Sequence, residues 1–300
     1  MRNYYFQGTI PNFGDDLNAL LWPQLIPEAL HDDGSDAMLL GIGSILFDTF
    51  PPTLRKVVIG SGYAGYTPKP DVDDKWTFYF VRGPRTAAAL GLDPELAITD
   101  AAILLRTVYP ELTKAVKKHP VSFMPHWESA EFGTWKEVTD AAGINLIDPR
   151  STVESTLEQL SGTELLITEA MHGAIAADAL RVPWVPVIPN NKKHHFKWLD
   201  WCESLSIPYR PNRMGTSNVK EFVNLKGLSA IYPAHLVRKV TGRHGGGFDS
   251  FFRRAAARRL KELGRLEPSL STDATCEMRT EQAVAKLDAF KADYRRGRYS

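Results

Sequence analysis

The sequence predicts an α/β protein built on two doubly wound parallel sheets. Three observations carry this prediction. Short apolar runs recur along the chain, each run ends in a turn rich in glycine or polar residues, and a complete strand–turn–helix–strand unit is readable at residues 165–189. Glycines and charges at the ends of parallel strands are typical of a sheet with its binding site along one edge. A chain of 300 residues is long enough for two such domains.

The first domain is predicted over residues 1–107. Four apolar runs with their turns define it: residues 4–6 before 11–16, residues 37–40 before 41–44, residues 56–59 before 60–62, and residues 77–81 before 82–85. A helix is expected at residues 86–90. Residues 107–120 are predicted to form a crossing helix or a linker, because Pro110 and Pro120 stand near its two ends.

The second domain is predicted over residues 119–235. Its first strands are expected at residues 121–124, 145–147 and 165–167, and each is followed by a polar turn. The third strand leads through Thr168-Glu169-Ala170-Met171-His172-Gly173 into an alanine-rich helix and a further strand after Pro183. A cleft between two such domains is the expected ligand site.

His172 stands where the third strand of this domain gives way to a helix. Open α/β sheets bind ligands at the carboxyl ends of their strands, and a helix N-terminus offers free N–H groups to an anion. A histidine at this position can act as an acid or a base near neutral pH. The alternative is a turn histidine that caps the helix or fills a gap in the core.

A second motif, Asn12-Phe13-Gly14-Asp15-Asp16, follows the first predicted strand. Gly14 permits a tight turn, and Asn12 and Asp15 place polar groups at a strand end. The motif is therefore a candidate part of a binding site. An Asx turn with a helix N-cap explains the same residues.

A third motif, Arg82-Gly83-Pro84-Arg85, places two guanidinium groups around the turn before the predicted helix at 86–90. Guanidinium groups in this arrangement suit a phosphate or a carboxylate. Ordinary surface ion pairs are the alternative.

Composition excludes several classes of protein. The chain is 43% hydrophobic and 24% charged, as expected of a soluble protein, and its net charge of +1 argues against a nucleic-acid binder. Cys202 and Cys276 show neither disulfide-framework nor zinc-ligand spacing, and no carboxylate cluster has metal spacing, so no metal is expected. Neither Gly41-x-Gly43 nor Gly60-x-Gly62 completes a dinucleotide fingerprint. With no signal peptide or membrane span in the sequence, we expect a cytoplasmic protein.

Residues 236–300 are predicted to form a basic helical C-terminal extension. From residue 251 onward the chain has 12 Lys/Arg and 7 Asp/Glu, and Arg253, Arg254, Arg258 and Arg259 lie on one amphipathic helix. Contact with an anionic membrane surface is one interpretation, since basic residues near such a surface each contribute about 1 kcal/mol. A solvated helix pair packed on the domains is the other.

Seven segments, taken in order, resemble the polysaccharide pyruvyl transferases, and most closely the succinoglycan ketalase branch. They are NFGDDLN at 12–18, GIGSIL at 41–46, VIGSGY at 58–63, FVRGPRTAAALGL at 80–92, ITDAAILL at 98–105, MPH at 124–126 and EAMHGAIAADALRVPWVPV at 169–187. The resemblance covers residues 1 to about 200. It implies a GT-B-like fold of two Rossmann-like domains, phosphoenolpyruvate as donor, and transfer of a pyruvyl ketal to an exopolysaccharide sugar. Many members have an arginine where this chain has Ala170.

Ketal formation from an enol phosphate needs a proton donor, anion-binding groups and a base for the hydroxyls, and it needs no redox cofactor. His172 suits the acid, and Asp15 or Glu169 suits the base. The remaining candidates for donor binding are Arg82, Arg85, His126, Gly173, Asn12 and Gly14. The run Lys192-Lys193-His194-His195 lines the cleft or forms a solvated loop.

Two other functions stay open at this point. A GT-B glycosyltransferase that uses a nucleotide sugar shares the architecture, and a non-catalytic sugar-binding protein would not need His172. For the transferase, the expected partners are phosphoenolpyruvate and an oligosaccharide carried on a lipid. The enzyme would reach that lipid from the cytoplasm, as a soluble protein or one bound peripherally to the inner face of the membrane.

Overall fold

The computed structural model describes residues 1–30, 36–188, 194–225 and 247–299 of the chain. The chain packs as two compact units. Unit 1 consists of Met1–Lys114, Lys193–Tyr209 and Leu270–Ser300, and unit 2 consists of Ala115–Lys192 and Arg210–Ser269. The described residues 194–209 and 270–299 therefore pack with the first part of the chain. The predicted boundary at 235 and 236 lies outside the described residues.

The described helices are, in chain order, α1 (Phe13–Leu25), α2 (Pro84–Leu90), α3 (Leu105–Val108), α4 (Trp127–Phe132), α5 (Trp135–Ala142), α6 (Val153–Ser161), α7 (Met171–Ala179), α8 (His195–Ser204), α9 (Val219–Leu225), α10 (Gly247–Leu263) and α11 (Asp273–Arg295). The strands are β1 (Arg2–Tyr4), β2 (Ala37–Leu40), β3 (Arg55–Ile59), β4 (Trp76–Phe80), β5 (His119–Met124), β6 (Asn145–Leu146), β7 (Thr163–Thr168), β8 (Trp184–Ile188) and β9 (Asn212–Arg213). Short 3₁₀ helices lie at Pro27–Ala29, Pro94–Leu96, Ala101–Leu104 and Pro110–Lys114.

Unit 1 contains a four-stranded parallel sheet in the order β1-β2-β3-β4. All four residues of β2 are buried, as expected of a strand covered on both faces. The order follows the chain without reversal, and residues 41–54 and 60–75 connect their strands without a helix. The prediction of a doubly wound sheet is therefore wrong for the described part of unit 1. β1 also lies two residues earlier than predicted, and Phe6 is 62% exposed.

Unit 2 contains a five-stranded parallel sheet in the order β6-β5-β7-β8-β9. Its first strand, β5, lies between the second and the third, so the winding direction reverses between β5 and β7. This is the doubly wound order in which the reversal marks the ligand-binding edge. The predicted fold is confirmed for this unit. β9 had not been predicted, because its two polar residues give no strand signal.

Helix α10 completes the core of unit 2. Ala256, Ala257, Leu260 and Leu263 are buried in one cluster with Phe123 of β5 and residues of α5. Their spacing of three and four residues places them on one face of the helix. This part of the predicted C-terminal extension is thus an integral layer of unit 2.

Helix α11 packs instead in unit 1, against β4. Phe290 is fully buried, with its ring 5.5 Å from that of Tyr79. The Tyr79 hydroxyl donates to Asp293 Oδ2 at 2.7 Å, and Arg298 donates to the same oxygen. The predicted extension is therefore divided between the two units.

None of the helices described here is long and apolar enough to cross a membrane. The GT-B-like arrangement of the two units stays a prediction.

Candidate active site

The candidate residues of unit 2 lie where its sheet reverses direction. His126 follows β5, and Glu169, Ala170 and His172 follow β7, while Met124 and Thr168 pair at the ends of these two adjacent strands. Because the strands are parallel, their carboxyl ends meet at one edge. The residues predicted from separate parts of the sequence therefore share the edge at which doubly wound sheets bind ligands.

The turn after β7 is held by Thr168, whose side chain is fully buried. Its Oγ1 accepts a hydrogen bond from the Ala170 N–H at 3.0 Å and donates to the Met124 carbonyl at 3.1 Å. These two bonds tie the turn to the end of β5. Helix α7 consequently begins at Met171, with His172 in its first turn.

Glu169 connects the two strand ends directly. Its Oε2 accepts a hydrogen bond from the backbone N–H of His126 at 3.0 Å, and the residue is 4% exposed. Burial raises the pKa of this carboxyl, and the hydrogen bond from His126 opposes the rise. A buried carboxyl with a raised pKa is a suitable general base, because its proton affinity approaches that needed near neutral pH.

His126 also caps helix α4. Its Nδ1 accepts from the Glu128 N–H at 3.4 Å and lies 3.6 Å from Glu128 Oε2, and its side chain is 14% exposed. The ring is thus held at the sheet edge by its own helix.

His172 is partly buried in the first turn of α7. The N-cap residue, Ala170, makes no side-chain cap, because it has no side-chain oxygen. A helix N-terminus of this kind is suited to an anion. The first turn of α7 therefore begins without a side-chain cap from residue 170, the position where the resemblance implies an arginine in many members.

Gly173 allows α7 to approach β5 and β7 closely. A Cβ atom at this position would lie 2.6 Å from Met124 Sδ and 2.9 Å from Thr168 Oγ1. Both distances are shorter than normal contacts, so a side chain here would push the first turn of α7, with His172, away from the sheet. The predicted donor-binding role of Gly173 stays a prediction, and its packing role is evident.

We expect Gly173→Ala to lower the free energy of unfolding by about 1–3 kcal/mol, the usual cost of overpacking. Urea denaturation of the full chain would measure this loss. Gly215→Ala is the matched control, because a Cβ there would meet nothing within 4 Å, and a change within about 0.5 kcal/mol is expected of it. Equal stabilities of the two variants would contradict the close packing.

Glu221 of α9 is a buried carboxyl that sequence reasoning missed. It accepts hydrogen bonds from Trp135 Nε1 at 3.1 Å and from the Ser217 N–H and hydroxyl at 2.6 Å each. Burial raises its pKa to about 8, and the nearby charge of Glu169 contributes to the rise. A glutamate flanked by Lys220 and Phe222 in a short helix carries no sequence signal for burial.

The raised pKa of Glu221 makes stability depend on pH. The folded protein retains a proton that the unfolded chain loses near pH 4.5, so the free energy of unfolding falls as the pH rises from about 4.5 to about 8. The slope from one such group is at most about 1.4 kcal/mol per pH unit. We expect Glu221→Gln to remove this contribution, as measured by urea denaturation at several pH values. Identical slopes in variant and wild type would contradict the assignment.

In unit 1, Asn12 and Asp15 form the N-terminal turn of α1. Asn12 Nδ2 donates to Asp15 Oδ2 at 2.6 Å, and the Asn12 N–H donates to Asp16 Oδ2 at 3.0 Å. Asn12 is the N-cap residue of α1, but its side chain makes no cap hydrogen bond, so the alternative interpretation of an Asx turn with a helix N-cap holds only for the N-cap position. Gly14 is buried beside them in the first turn of α1.

Asn18, which sequence reasoning passed over, connects α1 to the loop after β2. Its Nδ2 donates to the Ile42 carbonyl at 3.0 Å, and its Oδ1 accepts from the Ile42 N–H and from Trp22 Nε1, both at 2.9 Å. A Cβ on Gly43 would lie 3.8 Å from Asp15 Oδ1. The buried amide thus holds the Asp15 turn close to the loop at Gly43.

Arg82 is fully buried, and its guanidinium is surrounded by partners within unit 1. It donates to Asp200 Oδ2 at 2.9 Å, to Ser44 Oγ at 2.6 Å and to the Tyr63 carbonyl at 2.6 Å. The same Asp200 carboxylate accepts from the N–H and hydroxyl of Thr86, at 2.9 and 2.6 Å. Asp200 therefore occupies the N-terminus of α2.

Arg85 is paired with a second carboxylate of α8. It binds Glu203 through Nε and Nη2 at 2.6–3.0 Å, and both side chains are about 40% exposed. The motif does bind anions, as its composition predicted, but in this structure the anions are Asp200 and Glu203. The predicted contact of both arginines with the donor stays a prediction.

The structure thus gathers the candidates into two groups. His126, Glu169, His172 and Gly173 lie in unit 2, and the described remainder lies in unit 1: Asn12, Gly14, Asp15, Arg82 and Arg85. Of the basic run at 192–195, Lys192 and Lys193 lie outside the described residues. His194 and His195 lie in unit 1, with their rings 5.9 Å from Tyr66 and 5.7 Å from Tyr209.

Within the described ranges, no three His, Cys, Asp or Glu side chains are grouped to hold a metal ion.

Comparison with known proteins identifies the family of the chain. A sequence model of the polysaccharide pyruvyl transferase family matches residues 43–191. The succinoglycan biosynthesis protein ExoV of Rhizobium meliloti (strain 1021) is 42% identical over 224 residues, which cover 74% of this chain and 70% of the relative. The chain belongs to the polysaccharide pyruvyl transferase family.

The family match covers most of the candidate residues of this pyruvyl transferase. Arg82, Arg85, His126, Glu169, His172 and Gly173 all fall within residues 43–191, whereas the Asn12–Asp15 turn precedes them. The strand ends at the reversal point of the unit 2 sheet lie wholly inside the match.

Proposed function

We propose that the chain transfers the pyruvyl group of phosphoenolpyruvate to two hydroxyls of one sugar in an exopolysaccharide repeat unit, as a ketal. The observation that supports this most is the convergence of His126, Glu169 and His172 on the reversal point of the unit 2 sheet, in a member of this family. The acceptor is an oligosaccharide carried on a lipid, and the donor is a co-substrate, so no cofactor is required.

The reaction balances without an external reagent. His172 protonates the methylene carbon of the donor, which becomes the methyl group and leaves C2 electron-poor. One sugar hydroxyl adds to C2, phosphate leaves with the C2–O bond electrons, and a second hydroxyl closes the ring. Of the two protons released by the hydroxyls, one restores His172 and the other leaves on phosphate.

Glu169 is our first candidate for the base that takes the hydroxyl protons and passes them on to His172 and to phosphate, because burial raises its pKa and its position next to His126 is fixed. Asp15 of unit 1 is the second candidate. The uncapped first turn of α7 and the His126 ring are proposed to hold the donor anion. Arg85 is the more accessible of the two candidate arginines, since Arg82 would first have to leave Asp200.

The proposal is tested by incubating the purified full chain with phosphoenolpyruvate and a lipid-linked oligosaccharide extract. Phosphate release together with a mass gain of one pyruvyl ketal on the oligosaccharide is the expected result. Consumption of a nucleotide sugar, with UDP or GDP as inhibitor and no phosphate release from phosphoenolpyruvate, would establish a glycosyltransferase instead. Sugar binding without either reaction would leave a non-catalytic protein.

A lipid-linked acceptor requires the enzyme to act at a membrane surface, and α10 offers a face for this. Arg254 and Arg258 are exposed on it, and Phe251 is 67% exposed, whereas Arg259 is held by the Arg213 carbonyl and Glu262. Exposed arginines beside an exposed aromatic ring are typical of helices that lie on anionic bilayers. We therefore propose peripheral binding through α10.

We expect the full chain to co-sediment with vesicles containing phosphatidylserine at low salt and less so as salt rises, because the Debye length shortens. Arg254→Glu combined with Arg258→Glu should abolish the binding. Arg295→Glu combined with Arg296→Glu on α11 changes the charge equally at exposed positions and should leave it intact. Equal losses in both double variants would contradict a specific α10 surface.

A further inference from the structure

Unit 2 contains a cavity of about 180 Å³ beside the ends of β5 and β6. Its wall includes Pro125, which precedes His126, and Asp148 and Arg150 of the loop after β6, together with Gly133, Trp135 and Lys136. The cavity therefore adjoins the candidate active-site edge within the same unit. Its volume suits one sugar ring rather than a longer chain.

The apolar side of the cavity is rigid. Trp135 is 3% exposed, and its ring packs 4.9 Å from that of Phe123 while its Nε1 is bound to Glu221. A Cβ on Gly133 would lie 2.5 Å from Trp135 Nε1. Glycine at this position is what lets the chain pass over the indole and leaves the space open.

The polar side is built around a planar ion pair. Arg150 donates from Nε to Asp148 Oδ1 at 2.9 Å and from Nη2 to Asp148 Oδ2 at 2.7 Å, while its Nη1 donates to Glu131 Oε2 at 2.9 Å. Both side chains of the pair are about 30% exposed. Burial would raise the pKa of Asp148, but the bonds from Arg150 outweigh it and hold the pKa below its usual range.

The charges around the cavity favour a neutral ligand over the anionic donor. Lys136 and Arg150 are balanced by the lining carboxylates Glu137 and Asp148, and each cation is also paired with a further carboxylate, Asp140 and Glu131 respectively. Carboxylates therefore outnumber cations here. A phosphate ester would be repelled, whereas sugar hydroxyls can donate to the spare lone pairs of the carboxylates and accept from the guanidinium.

From these observations we propose that this cavity is the subsite for an uncharged pyranose ring of the acceptor, bound through hydroxyls to Asp148 and Arg150. The assignment rests on the proposed function, which requires a sugar acceptor. It places that sugar next to His126, at the edge where the donor is proposed to react.

Binding can be tested without the transfer reaction. Saturation-transfer NMR with methyl glucoside and methyl galactoside, in the absence of donor, should show binding to the full-length wild-type chain. Asp148→Asn and Ala130→Leu should each weaken it at least tenfold, the first by altering the ion pair and the second by filling the cavity from α4. Glu158→Gln, in an exposed ion pair with Lys118, and Ala141→Leu, at an exposed position of α5, are the matched controls.

The same variants separate the subsite from the reaction. The KM for the oligosaccharide acceptor should rise at least tenfold in Ala130→Leu, with binding of phosphoenolpyruvate unchanged. Saturation transfer that is absent from the wild type, or equal in Ala130→Leu and Ala141→Leu, would overturn the subsite even if pyruvyl transfer is observed. Sugar binding that is lost in both cavity variants would support it even if phosphoenolpyruvate proves not to be the donor.

Discussion

Replacing Arg82 with methionine is expected to lower the free energy of unfolding by about 3–5 kcal/mol, the usual result of removing one partner of a buried ion pair. The variant leaves the carboxylate of Asp200 buried without its cation, next to the Thr86 N–H and hydroxyl that it also binds. Ser44 and the Tyr63 carbonyl lose their donors at the same time. The loss is expected to be local to unit 1.

Arg85→Met is the matched control for this prediction. It removes the same type of side chain three residues away, from an ion pair that is about 40% exposed, and exposed pairs contribute about 0.2–1 kcal/mol. Urea denaturation of the full chain measures both losses, and hydrogen exchange of the α2 and α8 amides locates them. An Arg82→Met loss no larger than that of Arg85→Met would show that the buried pair does not hold unit 1 together. A weak pair of this kind would allow Arg82 to leave Asp200 and bind the donor anion.

His172→Asn is expected to lower kcat by roughly 10²- to 10⁴-fold, the range typical of a lost general acid. Asparagine keeps a polar side chain with a hydrogen-bonding group near the position of Nδ1, but it cannot deliver a proton to the methylene carbon. Thr168 and Gly173 help to position the first turn of α7, so the variant is expected to fold, and urea denaturation of the variant checks this. Phosphate release from phosphoenolpyruvate in the presence of the acceptor measures the effect.

His119→Asn is the control for the histidine. His119 begins β5 and so lies at the amino end of the strand whose carboxyl end leads to His126. Its replacement should leave kcat within twofold of the wild type. Turnover by folded His172→Asn at the rate of His119→Asn would remove His172 from the mechanism and make His126 the candidate acid.

The strands and the position of the site followed from local patterns. Apolar runs ending in polar turns predicted the cores of seven strands and placed β1 two residues too late, and the strand–turn–helix unit around His172 is reproduced by β7, α7 and β8. These patterns depend only on neighbouring residues, so long-range contacts in the folded protein do not change the elements they predict. The reversal between β5 and β7 was expected for a doubly wound sheet, although its place in the strand order was not.

What escaped prediction depends on residues far apart in the chain. The motif at 82–85 indicated that Arg82 would bind an anion. Its partner, Asp200, lies 118 residues later in α8, and no local pattern identifies it. Glu221 was missed for the same reason, since its burial depends on Trp135, 86 residues earlier in the chain. Asn18 looks like an ordinary helical residue in the sequence, because its partner Ile42 lies 24 residues later.

The division of the chain between the units has a consequence for its synthesis. A ribosome adds roughly 5–20 residues per second, and Asp200 follows Arg82 by 118 residues. Asp200 is therefore made about 6–24 s after Arg82. Asp293, the partner of Tyr79, comes 214 residues after it. Unit 2 is complete once residue 269 has been made, whereas unit 1 still requires Leu270–Ser300. The unit that begins second therefore finishes first, and until Asp200 and Leu270–Ser300 have been made, Arg82 lacks its carboxylate and β4 lacks the cover of α11.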